Sequence, residues 1–244
     1  MKHGLLLLGH GSHLHDDSSR PVYEHARRLR ETGDFCEVRV GFWKEEPSLS
    51  RAMDGCDAGD ITVVPLLISS GYFAEQIIPR EMKLNGPITR RQGRTIRYTE
   101  PIGGHPALAS VIVERAVEAG GTGTSSVVVL GHGTDQSAHS ETNIYRQTNR
   151  VRALSRFAEV TTLFLDQSPS LGLIWERTTA TDIVVVPLFM ANGWHVGQSI
   201  PVDLSLDGRD AIRQGRHVRV SEAVGTHTAL TGVILQLARN AQDR

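Results

Sequence analysis

The feature that most constrains this chain is an internal repeat whose two copies lie at a constant distance. The sequence LGHGS at residues 8–12 returns 122 positions later as LGHGT at residues 130–134. DITVVPL at residues 60–66 returns at the same distance as DIVVVPL. Because 122 is half of the 244 residues, the sequence predicts a tandem duplication with domains at residues 1–122 and 123–244.

Each copy alternates segments that are typical of strands and of helices. Continuous apolar runs of the kind found in strands covered on both faces occupy residues 5–8, 61–66, 127–130 and 183–188. Between these runs, Val22, Ala26 and Leu29 mark one face of a helix. The alternation predicts an α/β fold with a parallel, doubly wound sheet in each copy. We expect the two copies to be related by a pseudo-two-fold axis around a cleft.

The composition narrows the classes of function. The 26 Lys and Arg residues nearly balance the 27 Asp and Glu residues, which argues against a nucleic-acid partner. Cys36 and Cys56 are too few for a disulfide framework, which favours a reducing compartment. The apolar run at residues 5–8 is too short for a signal peptide or a membrane span. We therefore expect a cytoplasmic protein with no membrane partner.

Histidines follow the first predicted strand of each copy. His10 and His132 lie between glycines, which allow a sharp turn at the carboxyl edge of the sheet, where ligands of such folds bind. The alternative is that each histidine only caps the next turn. Four other histidines are predicted to lie at the surface: His15, His25, His139 and His217.

Two further loops of the second copy carry groups that bind metals. His195 follows the third predicted strand, and Asp166 follows the second. Neighbouring strands lie about 5 Å apart, so imidazoles from two such loops can share one ion. Two imidazoles and a carboxylate suit Co²⁺, Fe²⁺, Ni²⁺ or Zn²⁺. The sequence therefore predicts a metal site made by His132, Asp166 and His195.

These motifs resemble those of a known family. Gly-His-Gly-Thr at residues 131–134, Phe-x-Asp-x-x-Pro-Ser at 164–170 and Gly-x-His-Val-x-x-x-Ile-Pro at 193–201 are similar to the motifs of the class II tetrapyrrole chelatases. Within that family, the CbiX-type sirohydrochlorin cobaltochelatases and the sirohydrochlorin ferrochelatases are the nearest match. The resemblance implies two flavodoxin-like domains and insertion of Co²⁺ or Fe²⁺ into sirohydrochlorin without ATP, as in cobalamin biosynthesis.

Carried over residue by residue, the resemblance favours the second copy. That copy keeps His132, Asp166 and His195 as catalytic and metal-handling residues, whereas the first copy keeps only His10. The first copy has Lys44 at the acidic position, followed by two acids that could substitute for it, Glu45 and Glu46, and it has Phe73 at the second histidine. We expect one complete metal site, with His10 as a further catalytic residue.

A flat macrocycle also needs walls. Tyr72, Phe73 and Trp194 lie in the loops after the third strands, and His13 follows the first strand, so these four are predicted to contact the ring. We expect no cofactor beyond the metal substrate. A duplicated chain does not need a second copy to complete a cleft, which favours a monomer.

Three functions are compatible with these observations. The first is a chelatase that inserts Co²⁺ into sirohydrochlorin, with iron or nickel insertion into the same macrocycle as the near alternative. The second is a non-catalytic carrier of a tetrapyrrole or of a metal. The third is a two-domain protein that binds small molecules in the manner of periplasmic receptors, which the paired histidines make the weakest of the three.

Overall fold

The computed structural model describes residues 3–13, 16–133 and 141–243, and it divides them into two compact units. Unit 1 comprises Met1–His105 and Thr228–Arg244, and unit 2 comprises Pro106–His227. The compact units therefore differ from the two copies of the sequence repeat. The last helix of each copy belongs to the unit whose sheet is formed by the other copy.

Unit 1 is built on a five-stranded sheet. Its strands are β1 (His3–Gly9), β2 (Glu37–Phe42), β3 (Asp60–Pro65), β4 (Ile88–Arg91) and β5 (Arg94–Tyr98). They are arranged in the order β2-β1-β3-β5-β4. The strands β2, β1, β3 and β5 run parallel to one another, and β4 runs antiparallel to β5 at the edge.

Unit 2 repeats this arrangement strand by strand. Its strands are β6 (Ser126–Gly131), β7 (Glu159–Phe164), β8 (Asp182–Pro187), β9 (Asp210–Arg213) and β10 (Arg216–Val220). Their order is β7-β6-β8-β10-β9, with β9 antiparallel to β10. The predicted α/β fold with two parallel sheets is confirmed, except that the edge strands β4 and β9, which were not predicted, run antiparallel to their neighbours.

The antiparallel edge strand of each sheet follows from a two-residue turn. Gln92 and Gly93 have φ values of 49° and 73°, and Gln214 and Gly215 have values of 49° and 74°. Two successive residues with positive φ form the type of turn that joins antiparallel strands of a hairpin. A sheet with only parallel strands would need a long crossover at this point.

The centre of each sheet is apolar along its whole length. The leucines at residues 5–8 are at most 1% exposed, and residues 127–130 are fully buried. Helices cover the faces of such strands, so the strands carry no alternation of apolar and polar residues. The continuous runs in the sequence therefore correspond to the central strands β1 and β6.

Seven α-helices accompany the strands in the described residues. Their bounds are α1 (Arg20–Thr32), α2 (Ile78–Met82), α3 (Leu108–Glu118), α4 (Thr142–Ala153), α5 (Ile174–Arg177), α6 (Ile200–Asp203) and α7 (Leu230–Gln242). Val22, Ala26 and Leu29 form the buried face of α1, as predicted. Within the described segments, we find no helix with the length and apolar character needed to cross a bilayer.

One predicted surface histidine is buried. His25 is 1% exposed, and its Nδ1 lies 2.9 Å from Thr231 Oγ1 on α7. The prediction was wrong because His25 follows Val22 by three residues and shares the helix face that packs inward. The side chain of His217 is 42% exposed. His15 and His139 lie outside the described residues.

Candidate metal site at the edge of the second sheet

Three loops of unit 2 meet at the carboxyl edge of its sheet. His132 follows β6, Asp166 follows β7, and His195 begins a π-helix (His195–Ser199) after β8. Since β6 lies between β7 and β8, these loops are neighbours at the point where the chain turns to opposite sides of the sheet. The fold therefore brings together the three residues that the motifs single out.

The glycine after His132 has a specific structural role. Gly133 has a φ of 84°, and a Cβ at this position would lie 2.7 Å from Cγ of Gln167. Only glycine combines this backbone conformation with so little space. The turn places the carbonyl oxygen of His132 2.9 Å from the backbone N–H of Asp166, which donates to it. The next residue of the motif, Thr134, lies outside the described residues.

The surroundings of His132 define which ring nitrogen carries the proton. Its Nδ1 lies 3.0 Å from Oδ2 of Asp166 and 3.3 Å from the carbonyl oxygen of Gly133. Both oxygens are acceptors, so Nδ1 is the donor, and the lone pair of the neutral ring is on Nε2. A carboxylate that orients a metal-binding imidazole through Nδ1 is a common arrangement in metal sites.

His195 lies next to His132, edge to face. The ring centroids are 4.9 Å apart, and the ring planes are inclined by 85°. Nδ1 of His195 lies 2.9 Å from Oγ of Ser199, one turn later in the π-helix. Phe189 packs against both imidazoles, with centroid distances of 6.1 Å and 6.2 Å. The two imidazoles thus contact each other, and Ser199 and Phe189 hold their rings in place.

The surroundings of His195 favour its neutral form. Burial lowers the pKa of His195, and the neighbouring His132 lowers it further, whereas Asp166 and Asp203 act in the opposite direction. A neutral imidazole keeps the lone pair with which it binds a divalent metal. The lowered pKa therefore extends the pH range in which His195 can act as a ligand.

The three predicted metal residues lie together, but their side chains are not placed to bind one ion at the same time. Across residues 3–13, 16–133 and 141–243, no three His, Cys, Asp or Glu side chains are placed to hold one ion. At this edge, the carboxylate of Asp166 contacts Nδ1 of His132 and is therefore turned away from a position shared with the two imidazoles. Direct binding of a metal by Asp166 would require its carboxylate to turn away from that nitrogen.

The same edge of unit 1 is built differently. His10 follows β1, and its Nδ1 lies 3.1 Å from the carbonyl oxygen of Gly11, but its ring packs against Phe73 at 5.2 Å instead of a second imidazole. Lys44, at the acidic position, lies with its ammonium 5.5 Å from the ring centre of Trp43. The ring of His10 therefore packs against an aromatic ring where His132 packs against a second imidazole.

The two acids that could replace Lys44 are held by backbone groups. Glu45 Oε2 accepts the N–H of Ser12 at 3.2 Å, and Glu46 Oε2 accepts the N–H of Ser48 at 2.9 Å. Glu45 thus connects the loop after β2 to the loop that contains His10, whereas Glu46 stabilises its own loop.

The residues predicted to contact a macrocycle differ in exposure. Tyr72 and Trp194 occupy equivalent positions in the two units and are 66% and 60% exposed. His13 is also exposed, whereas Phe73 is half-buried between the rings of His10 and Trp43. Tyr72 and Trp194 are therefore the aromatic side chains most available to a ligand.

Two supporting residues were missed by the sequence analysis. Ser199 contacts His195, and Phe189 contacts both imidazoles. The repeat contained a signal for both, because unit 1 has Ile77 and Leu67 at the equivalent positions. Positions that change together with a functional residue between two copies are candidates for its support.

Comparison with known proteins agrees with these motifs. The sequence model of the CbiX family matches the chain twice, at residues 4–119 and 126–241. A relative from Halobacterium salinarum, named a probable sirohydrochlorin cobaltochelatase, is 37% identical over 97% of this chain and 91% of its own length. A sirohydrochlorin cobaltochelatase from Methanococcoides burtonii is 32% identical over 48% of this chain and 96% of its own length.

Solved structures show the same fold. One is a multi-domain protein from Deinococcus radiodurans with structural similarity to chelatases, at a TM-score of 0.84 and 29% identity. The match covers 97% of this chain and 54% of that protein, so this chain spans about half of its length. The sirohydrochlorin chelatase SirB from Bacillus subtilis in complex with cobalt has a TM-score of 0.73 and 20% identity, covering 100% of this chain and 97% of SirB. The predicted resemblance is thus confirmed, and the chain belongs to the CbiX family.

Proposed function

We propose that this protein is a sirohydrochlorin cobaltochelatase that inserts Co²⁺ into the macrocycle at the edge of the second sheet. The names of the relatives from Halobacterium salinarum and Methanococcoides burtonii support this substrate and this metal. The observation that carries the proposal is the pair His132 and His195, whose rings are in contact and whose Nδ1 atoms both have hydrogen-bond partners.

A pair of imidazoles suits a metal that is a substrate. Two nitrogen ligands leave most of the coordination sphere of Co²⁺ to water and to the macrocycle, so the ion is held without being trapped. A closed site with four protein ligands is typical of structural metals. The open pair thus favours transfer of the ion over storage.

The pair can also take part in proton transfer. Metal insertion into the free-base macrocycle releases two pyrrole N–H protons for each divalent ion. As the ion leaves Nε2 of His132 or His195, that nitrogen regains its lone pair and can accept a proton. Asp166, which is 58% exposed at its side chain and contacts Nδ1 of His132, can stabilise the resulting imidazolium and connect it to solvent.

The remaining assignments are part of the same proposal. Tyr72 and Trp194 would pack against the macrocycle, and the reaction would need neither ATP nor a cofactor beyond the metal substrate. The free thiols of Cys36 and Cys56 support a cytoplasmic location. The presence of two CbiX units in one chain supports a monomer.

The test is metal insertion followed by absorbance under anaerobic conditions. Sirohydrochlorin is mixed with Co²⁺, Fe²⁺ or Ni²⁺, each with wild-type protein, with a His132→Ala/His195→Ala variant and without protein. We expect wild-type protein to accelerate Co²⁺ insertion and the double variant to match the blank. Faster insertion of iron or nickel would reassign the metal. Binding of sirohydrochlorin without any acceleration would replace the enzyme with a carrier.

A further inference from the structure

The π-helix after β8 contains a serine whose only described side-chain partner is a histidine of the metal site. Oγ of Ser199 lies 2.9 Å from Nδ1 of His195 and 3.5 Å from the carbonyl oxygen of the same residue. The hydroxyl can donate only its single hydrogen, and a carbonyl oxygen can only accept. The 2.9 Å contact fits two arrangements: Oγ donates to Nδ1, or the hydroxyl hydrogen is directed to the carbonyl and Oγ accepts the proton of Nδ1. The carbonyl contact belongs to the second arrangement, on which the inference below is built.

The consequence concerns the other nitrogen of the ring. When Nδ1 carries the hydrogen, the lone pair of neutral His195 is on Nε2. In the opposite tautomer, Nε2 would carry the hydrogen and could not bind a metal. Asp166 imposes the same tautomer on His132 through Nδ1. When Ser199 accepts the proton of Nδ1, both neighbouring rings therefore have the lone pair on Nε2.

The repeat provides an independent observation. The equivalent of His195 in unit 1 is Phe73, and the equivalent of Ser199 is Ile77, which is 8% exposed. An apolar side chain thus fits the backbone at this position and packs in the core of unit 1. The π-helix forms in both units, at Phe73–Ile77 and at His195–Ser199, so the hydroxyl is not required for the fold.

We propose that Ser199 is a positioning residue that fixes the Nδ1–H tautomer and the ring orientation of His195, so that Nε2 binds the substrate metal. This inference rests on the proposed function for its biological role, but its test needs only the metal. Loss of such an outer partner typically lowers metal affinity about 10- to 100-fold.

The experiment measures binding of Co²⁺ alone, by calorimetry and by the visible absorption of the bound ion. The proteins are wild type, Ser199→Ala, Ser199→Thr, His195→Ala and a control, Val202→Ala, which removes an exposed side chain three residues later. We expect Ser199→Ala to weaken Co²⁺ binding about 10-fold. Ser199→Thr, which keeps the hydroxyl, and Val202→Ala should bind as wild type does.

The outcomes separate this inference from the proposed function. Equal Co²⁺ affinity of Ser199→Ala and wild type overturns the inference, as does wild-type binding that His195→Ala leaves unchanged. In the insertion assay, Ser199→Ala should raise KM for Co²⁺ and leave KM for sirohydrochlorin unchanged. If Co²⁺ binding depends on Ser199 and His195 but wild type inserts no metal, the inference stands and the chelatase activity is rejected.

Discussion

The two sheet edges have almost the same backbone but different chemistry. Each has a Gly-His-Gly turn after its central strand, a backbone bond from the second loop to the carbonyl of that histidine, and a π-helix after the third strand. In unit 2, His132 contacts a carboxylate and a second imidazole, whereas in unit 1, His10 contacts Phe73. The difference shows that this backbone holds a histidine at the sheet edge whether or not a carboxylate and a second imidazole lie beside it.

The largest expected effect comes from removing the second imidazole. His195→Ala leaves His132 as the only histidine of the pair, so we expect insertion to fall by about 100-fold or more. The matched variant in unit 1, Phe73→Ala, removes a half-buried ring and should lower activity only a few-fold. Initial rates of Co²⁺ insertion measure both. Similar losses in the two variants would mean that the two edges share the reaction.

The second comparison concerns the histidine that both edges retain. His132→Ala removes one ligand of the pair and leaves Asp166 without its partner, and we expect a loss of about 100-fold. His10→Ala should weaken insertion by less than that and leave the affinity for Co²⁺ unchanged. Parallel insertion and calorimetry experiments test this. A larger loss for His10→Ala would move the metal site to unit 1.

Much of the fold could be predicted from the sequence because its signals are local and occur twice. The apolar runs at residues 5–8 and 127–130 are buried central strands, and the helix face of Val22, Ala26 and Leu29 is buried as expected. The exchange of α3 and α7 between units could not be predicted in this way. Either helix can cover either sheet with the same apolar face, so the pattern of one helix contains no information about its partner.

The site was predictable in its residues but not in its contacts. The motifs identify His132, Asp166 and His195, and the strand order explains why they meet. Whether Asp166 faces a metal or Nδ1 of His132 depends on side-chain rotamers, which spacing along the chain does not define. Ser199 and Phe189 contribute through packing of the folded loop, and a single copy of the motif gives no reason to choose them.

A third test uses glycines that the two units share. A Cβ at Gly103 would overlap with the backbone of Ile68, and one at Gly225 would overlap with that of Met190. We expect each alanine variant to lower the free energy of unfolding by about 1–3 kcal/mol, measured in urea. Only Gly225→Ala should also weaken Co²⁺ binding, because the N–H of Gly225 donates to the carbonyl of Phe189 beside the imidazoles. Equal effects on Co²⁺ would contradict the assignment of the site to unit 2.

A fourth test builds the missing chemistry into unit 1. Lys44→Asp, Phe73→His and Ile77→Ser together introduce the residues of unit 2 at the equivalent positions. We expect a second, weaker Co²⁺ to bind per chain, because the shared backbone already holds His10 at the carboxyl edge. Calorimetry gives the number of ions. The variant with Phe73→His alone serves as the control, and an unchanged stoichiometry in both would show that more than these side chains separates the edges.

The smallest expected effect concerns a histidine of unit 1 that unit 2 replaces with serine. His3 lies 3.6 Å from Asp60, and the equivalent residue, Ser125, donates to Asp182. Burial lowers the pKa of His3, Asp60 opposes this, and Arg97 adds to it. The folded state therefore resists protonation of His3. Stability from the neutral ring is fully present above the unfolded pKa of about 6.5 and is lost as pH falls towards the folded pKa.

His3→Ser introduces the residue of unit 2 and removes this titration. We expect the urea midpoint of wild type to fall more than that of His3→Ser between about pH 7.5 and pH 5, because only wild type has a half-buried ring at residue 3 whose protonation the folded state disfavours. The two proteins differ at one residue, so the difference between their pH profiles isolates His3. Parallel profiles would show that Asp60 offsets burial completely, and the two units would then respond to acid in the same way.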